Sequence, residues 1–210
     1  MAYIKRAGEE VVKRLVDSFK IVLVTGPRQV GKSTMLKELY GDEYSYVSLD
    51  DINILQIAQN DPKLFFINHR GKLIIDEIQY CPELFVEMKR IVDQKDETGQ
   101  FIITGSQTYS LMKNVSESLA GRVGIMELKP LSTREILGRG SSAPFRPSLD
   151  LLHSPVTDIS YSELWEIIHR GSMPELYRRP SLISESFYAS YLSTYIQRDV
   201  RQLSAVQDLN

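Results

Sequence analysis

The chain has 210 residues, with 25 Lys and Arg against 27 Asp and Glu, three His and one Cys, for a formal charge of −2. That length supports one ordinary domain with a full core plus a small appendage, and the near-neutral charge gives no bulk electrostatic reason to expect nucleic acid. Cys81 alone excludes an intrachain disulfide, no apolar run reaches membrane-spanning length, and the N-terminus lacks the apolar stretch of an export signal, so a cytoplasmic location and no membrane partner are expected.

Val11, Val12, Leu15, Val16 and Phe19 form one stripe of a helix predicted over Ala7 to Phe19. Ile21 to Val24 reads as a buried strand, and Thr34 to Tyr40 as a helix with Met35, Leu36 and Leu39 inward. Between them lies Gly26-Pro27-Arg28-Gln29-Val30-Gly31-Lys32-Ser33, a phosphate-binding P-loop. Gly26 and Gly31 permit backbone turns that aim successive N–H groups inward at a helix N-terminus, where a phosphate is bound. Lys32 reaches the β- and γ-phosphates, Ser33 is placed to ligate Mg²⁺, and Thr34 completes the binding segment.

Tyr46 to Leu49 is a second predicted strand, with Asp50 and Asp51 placed to cap a helix from Ile52 to Gln59. Asp61-Pro62 starts another short helix. Lys72 to Ile75 is a third, apolar strand that runs into Asp76-Glu77. An acidic pair there supplies Asp76 to orient Mg²⁺ or its water and Glu77 to polarise an attacking water. The plainer alternative is a strand end that caps the next helix. Glu77 favours water over a bound hydroxyl as acceptor, and the absence of an N-K-x-D element leaves ATP as the default nucleotide.

A helix ending near Val92 precedes a fourth strand, Gln100 to Thr104, which leads to Gly105-Ser106. Ser106 or Gln107 is placed either to sense the γ-phosphate or hold the water, or simply to cap the helix through Leu111, Met112, Val115 and Leu119. A fifth strand, Val123 to Leu128, follows Arg122. Arg122 is expected on the surface opposite its own nucleotide, where it serves either as an arginine finger for a neighbouring subunit of a homo-oligomer or in an ordinary ion pair. Strands alternating with helices imply a parallel α/β sheet, with ligands beyond the carboxyl ends of its strands, where Gly26, Asp76 and Ser106 all fall.

Past Pro130, the stretch Gly138 to Pro155 reads as a loop, Ser160-x-x-Glu163 as a capping box, and Ser184 to Leu203 as a helix with an aromatic face suited to packing. The division expected is a P-loop core over 1–137, a linker over 138–160 and a helical segment over 161–210. His69, His153 and His169 have no metal or triad spacing.

YIKR at Tyr3 to Arg6, TGPRQVGKST, Tyr46 to Asp51, LIIDEIQ, ITGSQ, SLAGR, ELKPLSTREI, RGSMPEL and YIQRDV occur in an order that resembles the P-loop ATPases of the AAA_14 type, usually joined to a C-terminal domain called DUF4143. The resemblance implies a P-loop NTPase of the additional-strand, catalytic-glutamate class, with a central parallel five-stranded sheet flanked by helices and a C-terminal helical segment. It also implies an ATPase with Lys32, Ser33, Asp76 and Glu77 in the roles above; with the P-loop and the acidic pair, the function expected is Mg²⁺-dependent ATP hydrolysis, with nucleotide state controlling a C-terminal domain or an unknown protein or DNA partner. The alternative is a nucleotide-gated binding module with little turnover. Ser172 departs from the family pattern, which has a second glycine there. Proteins of this type continue well past YIQRDV, so a chain ending at Asn210 is expected to be a fragment.

Overall fold

The computed structural model describes residues 3–106, 109–138 and 159–195. Gln107, nearly all of the expected linker and the YIQRDV segment beyond Tyr195 lie outside the described residues. The chain falls into two compact units, residues 1–147 and 148–210.

In the first unit, α1 (Glu9–Ser18) leads into β1 (Ile21–Thr25), α2 (Lys32–Tyr40), β2 (Ser45–Ser48), α3 (Ile52–Asn60) and α4 (Pro62–Asn68). Then come β3 (Leu73–Asp76), a 3-10 turn at Ile78–Tyr80, α5 (Leu84–Gln94), β4 (Phe101–Thr104), α6 (Tyr109–Leu119), β5 (Val123–Glu127) and a one-turn α7 (Thr133–Ile136). Local chemistry sets several of these boundaries. Asp51 caps α3 by accepting from the N–H groups of Asn53 and Ile54, and Asp61 caps α4, whose first residue is Pro62.

The five strands form one sheet in the order β2-β3-β4-β1-β5, and every neighbouring pair is parallel. Ile21, Leu23, Leu73, Ile75, Phe101 and Ile103 face one side and pack with Phe65, Phe85, Met88, Leu111 and Val115 from the helices. The alternate residues Val22, Val24, Ile74 and Ile102 are also fully buried and, by strand alternation, face the other side. Coverage on both faces explains why β1, β3 and β4 read as nearly continuous apolar runs, whereas β2 and β5 on the sheet margins are only partly buried. Each fully buried Leu or Ile contributes about 1.5–3 kcal/mol.

β1 lies between β4 and β5, with Val24 opposite Thr104 and Thr25 opposite Glu127, while Ser48 is opposite Asp76. The carboxyl ends of the strands therefore share one edge. The connection from β1 runs toward β2 and that from the adjacent β4 runs the opposite way to β5, which opens a crevice at the ends of these two strands.

In the second unit, α8 (Tyr161–Arg170) begins with the expected Ser160–Glu163 capping box, and α9 (Pro174–Arg178) and α10 (Ser184–Tyr195) follow. Arg170 Nη2 donates to the carbonyls of Leu176 at 2.6 Å and Pro180 at 2.8 Å. On α10, Phe187 stacks on Tyr191 and meets Tyr188 edge-on. Gly171 is at φ +81°, and its turn is tied by Tyr177 and Tyr188, the latter accepting from the Ser172 N–H. Among the described residues the only non-glycine positive φ values are at Gln29 and Glu77, so Ser172 meets no conformation that demands glycine.

Candidate functional site

The loop between β1 and α2 is shaped by two glycines. Gly26 is at φ +138°, and a Cβ there would sit 2.2 Å from the Leu128 carbonyl oxygen, so the end of β5 leaves no room for a side chain. Gly31, at φ +92°, is the N-cap of α2 and supplies no side-chain cap, while Gln29 between them is also left-handed at φ 62°. The first N–H groups of α2 are thereby presented to an anion. Val30 is buried, and its carbonyl accepts from Arg6 Nη1 at 2.7 Å. Arg28 Nη2 donates to the Tyr80 hydroxyl at 3.4 Å, and Thr34 is exposed on α2.

Lys32 is 5 % exposed, and its ammonium donates to the carbonyls of Gly26 and Pro27, both at 3.0 Å. Burial holds its pKa below the usual lysine value, against the opposing pull of Glu77 and Asp76. A buried cation satisfied only by carbonyl dipoles is poised to take a stronger, charge-assisted partner such as a phosphate.

Asp76, at the end of β3, accepts from three hydroxyls on three elements. Ser33 Oγ donates to Oδ2 at 2.7 Å, Tyr46 Oη to the same oxygen at 2.6 Å, and Thr104 Oγ1 to Oδ1. Burial, with the hydrogen bond to Asp76 adding to it, keeps the Tyr46 hydroxyl protonated well above the ordinary tyrosine range. Thr104 Oγ1 also accepts from the Glu77 N–H at 3.3 Å. Glu77 itself is left-handed, at φ 57°, which turns the chain sharply after the strand. Gln79 Nε2 donates to Glu77 Oε2, whereas Gln79 Oε1 is buried and has no partner among the described residues. That oxygen lies 2.7 Å from where a Gly105 Cβ would stand.

Ser106 is buried two residues beyond Thr104 and shares the carboxyl edge with Asp76. Arg122 is elsewhere. Its carbonyl accepts from the Ile21 N–H at the amino end of β1, and its guanidinium binds Asp93 through Nε at 2.6 Å and Nη2 at 2.9 Å. Within its own chain Arg122 thus takes the ion-pair alternative, remote from Lys32 and Asp76.

Four further residues contribute: Tyr46, Thr104, Arg6 and Glu135. In the sequence Tyr46 and Thr104 stand in predicted strands and in motifs of the resemblance with no role at the site assigned, since nothing local marks a hydroxyl that reaches a neighbouring strand. Arg6 and Glu135 form a buried ion pair at 3.0 Å, with side chains 4 % and 5 % exposed. Arg6 also donates to the carbonyls of Val30 and Lys129, fastening the P-loop to the segment after β5. Glu135 is the N3 residue of a capping box with Ser132, the same S-x-x-E signal read correctly at Ser160.

The donor set suits a hard cation. Ser33 hydroxyl and Asp76 carboxylate offer oxygen only, and among the described residues no group of three or more His, Cys, Asp or Glu converges on a metal. Mg²⁺ held by one carboxylate, a hydroxyl, water and nucleotide phosphates fits that arrangement.

A parallel sheet with strand order 2-3-4-1-5 and a lysine-bearing glycine loop after β1 defines an α/β P-loop NTPase. The described fold matches that of the Walker-type ATPase PABY2304 of Pyrococcus abyssi with a TM-score of 0.58, at 15 % identity, over 98 % of this chain and 77 % of that one. Residues 18–137 match the family AAA_14, an AAA domain, and the chain belongs to it. It is 33 % identical over 200 residues to the uncharacterized protein Rv2008c of Mycobacterium tuberculosis, covering 95 % of this chain and 40 % of that protein. The uncharacterized protein MJ1544 of Methanocaldococcus jannaschii is 28 % identical over 127 residues, 56 % of this chain and 28 % of its own. The chain therefore spans less than half the length of the curated relatives it matches.

Proposed function

We propose that the chain binds Mg²⁺-ATP at the P-loop and hydrolyses it, with nucleotide state controlling a partner or a further domain. The observation that carries this reading is the 2.7 Å contact between Ser33 and Asp76, directly beneath the loop that buries Lys32, with Glu77 next in the chain. Gly26, Gly31 and the first turn of α2 cradle the phosphates, and Lys32 exchanges loop carbonyls for phosphate oxygens. Ser33 and Asp76 would hold Mg²⁺, which supplies charge neutralisation on the phosphates. Glu77 orients and deprotonates the attacking water, and Ser106 senses the γ-phosphate from the end of β4.

The test is phosphate release from Mg²⁺-ATP across a protein dilution series, for the wild-type chain beside Glu77→Gln. Turnover in the wild type and its loss in the variant support the reading. Absence of ATP binding in the presence of Mg²⁺ overturns it.

A second reading, a nucleotide-gated module with little intrinsic turnover, is favoured by one observation: Gln79 already occupies a carboxylate oxygen of Glu77. On that reading the glutamate is restrained until a protein or DNA partner releases Gln79. Gln79→Leu then raises basal turnover several-fold, whereas a decrease leaves the hydrolase reading alone.

A further inference from the structure

Tyr46 belongs to no part of the phosphate-binding loop and sits on the edge strand β2, yet its hydroxyl is 2.6 Å from Asp76 Oδ2. Its position on the strand explains the reach. Tyr46 lies opposite Ile74, two residues before Asp76 in the adjacent parallel strand, and a tyrosine leaning along the strand spans that offset. The ring is held from above, with Lys37 Nζ 3.6 Å from its centroid. Lys37 stands one turn after Ser33 on α2, so the helix that presents the Ser33 hydroxyl to Asp76 also clamps the tyrosine that shares the same oxygen.

A carboxylate has about four lone-pair sites. With Ser33 and Tyr46 on Oδ2 and Thr104 on Oδ1, one acceptor direction is left, and the group cannot rotate without breaking a hydrogen bond. Without Tyr46, Oδ2 would be held only by Ser33, a hydroxyl that itself becomes a metal ligand, while Thr104 holds Oδ1. Tyr46 gives that oxygen a tether that does not depend on the cation.

We propose that Tyr46 is a positioning residue, whose hydroxyl fixes the Asp76 carboxylate beside Ser33 so that the pair accepts Mg²⁺ together with a bound nucleotide. The proposal rests on the Mg²⁺-nucleotide reading of the site. Outer contacts of this kind are worth about 10–100-fold in metal affinity.

The experiment is a Mg²⁺ titration of the 210-residue chain and of Tyr46→Phe, read by fluorescence of a labelled ATP analogue at fixed concentration. A parallel affinity is measured in EDTA, and a melting temperature is taken for each protein. The expected result is a Mg²⁺ midpoint raised about 10–100-fold in Tyr46→Phe, with the metal-free nucleotide affinity unchanged. A purely packing role for the ring predicts no change, since phenylalanine preserves it. An unchanged midpoint in a folded Tyr46→Phe overturns the proposal. Should that variant melt early, Lys37→Met removes the clamp and keeps the hydroxyl; a midpoint raised a few-fold supports the proposal, and an unmoved one overturns it. A wild-type chain whose nucleotide affinity ignores Mg²⁺ overturns the reading of the site itself, and this proposal with it.

Discussion

At the scale of single residues, the site depends on contacts that tolerate few substitutions. Gly26→Ala places a Cβ against the Leu128 carbonyl and asks alanine to adopt φ +138°. A loss of at least about 1–3 kcal/mol in a denaturant titration is expected. Thr104→Val removes a donor to Asp76 and an acceptor for the Glu77 N–H, both inside the fold. The expected cost is about 1–3 kcal/mol, with turnover falling more than nucleotide affinity in steady-state and binding assays. Glu77→Gln is isosteric and keeps an acceptor, so nucleotide binding persists while turnover drops about 10²–10⁴-fold. Equal turnover in that variant would remove Glu77 from the chemistry.

At the scale of elements, the one-turn α7 owes its place to a buried charge rather than to its length. Glu135 accepts from the N–H groups of Ser132 and Ala7 and pairs with Arg6, which also holds Val30 and Lys129. Burial alone would raise the Glu135 pKa. The backbone hydrogen bonds and the Arg6 charge outweigh it and hold the group below the usual carboxylate value. A carboxyl whose folded pKa lies below its unfolded one binds protons more readily when unfolded. Its stabilisation is therefore complete above the unfolded value, about 4.3, and disappears as pH falls through the folded one. Glu135→Gln should flatten the acid side of a stability-against-pH profile below about pH 4–5. Arg6→Ala leaves Glu135 buried without its cation and is expected to cost about 3–5 kcal/mol by chemical denaturation. A loss that small surface changes also produce would show that water replaces the guanidinium.

The same scale shows what local pattern conveys. Apolar strands, Asp51 and Asp61 caps, Pro62 and the Ser160–Glu163 box are all short-range signals, and the helices and strands begin where those signals stand, to within one or two residues. Lys32, Ser33, Asp76 and Glu77 are legible for a related reason: the first two open a helix and the last two end a strand, each placed by its own neighbours in sequence. Tyr46 is not legible, because its significance lies in a partner 30 residues away.

At the scale of the whole molecule, the sheet order puts the P-loop and Asp76 on one edge and Arg122 toward the other. As an arginine finger, Arg122 would have to act on a neighbour's nucleotide, and its guanidinium would then exchange the Asp93 carboxylate for phosphate. Turnover per chain is then expected to rise with protein concentration. Arg122→Ala should abolish that rise, and Asp93→Ala should leave it in place. Turnover independent of concentration in the wild-type chain and in Asp93→Ala would assign Arg122 to the ion pair alone. Among the described residues no helix is long and apolar enough to cross a membrane.

Sequence by itself determined the parallel α/β class, the phosphate loop and the acidic strand end, because hydrophobic periodicity, glycine placement and residue spacing are local properties of a chain. Tertiary structure decided the rest. Strand order brought Tyr46 and Thr104 to either side of Asp76, and docking of the segment after β5 closed Gly26 against Leu128 and Arg6 against Glu135. Those contacts join residues up to 129 positions apart, and their geometry exists only once non-local strands have paired and the water between them has been excluded.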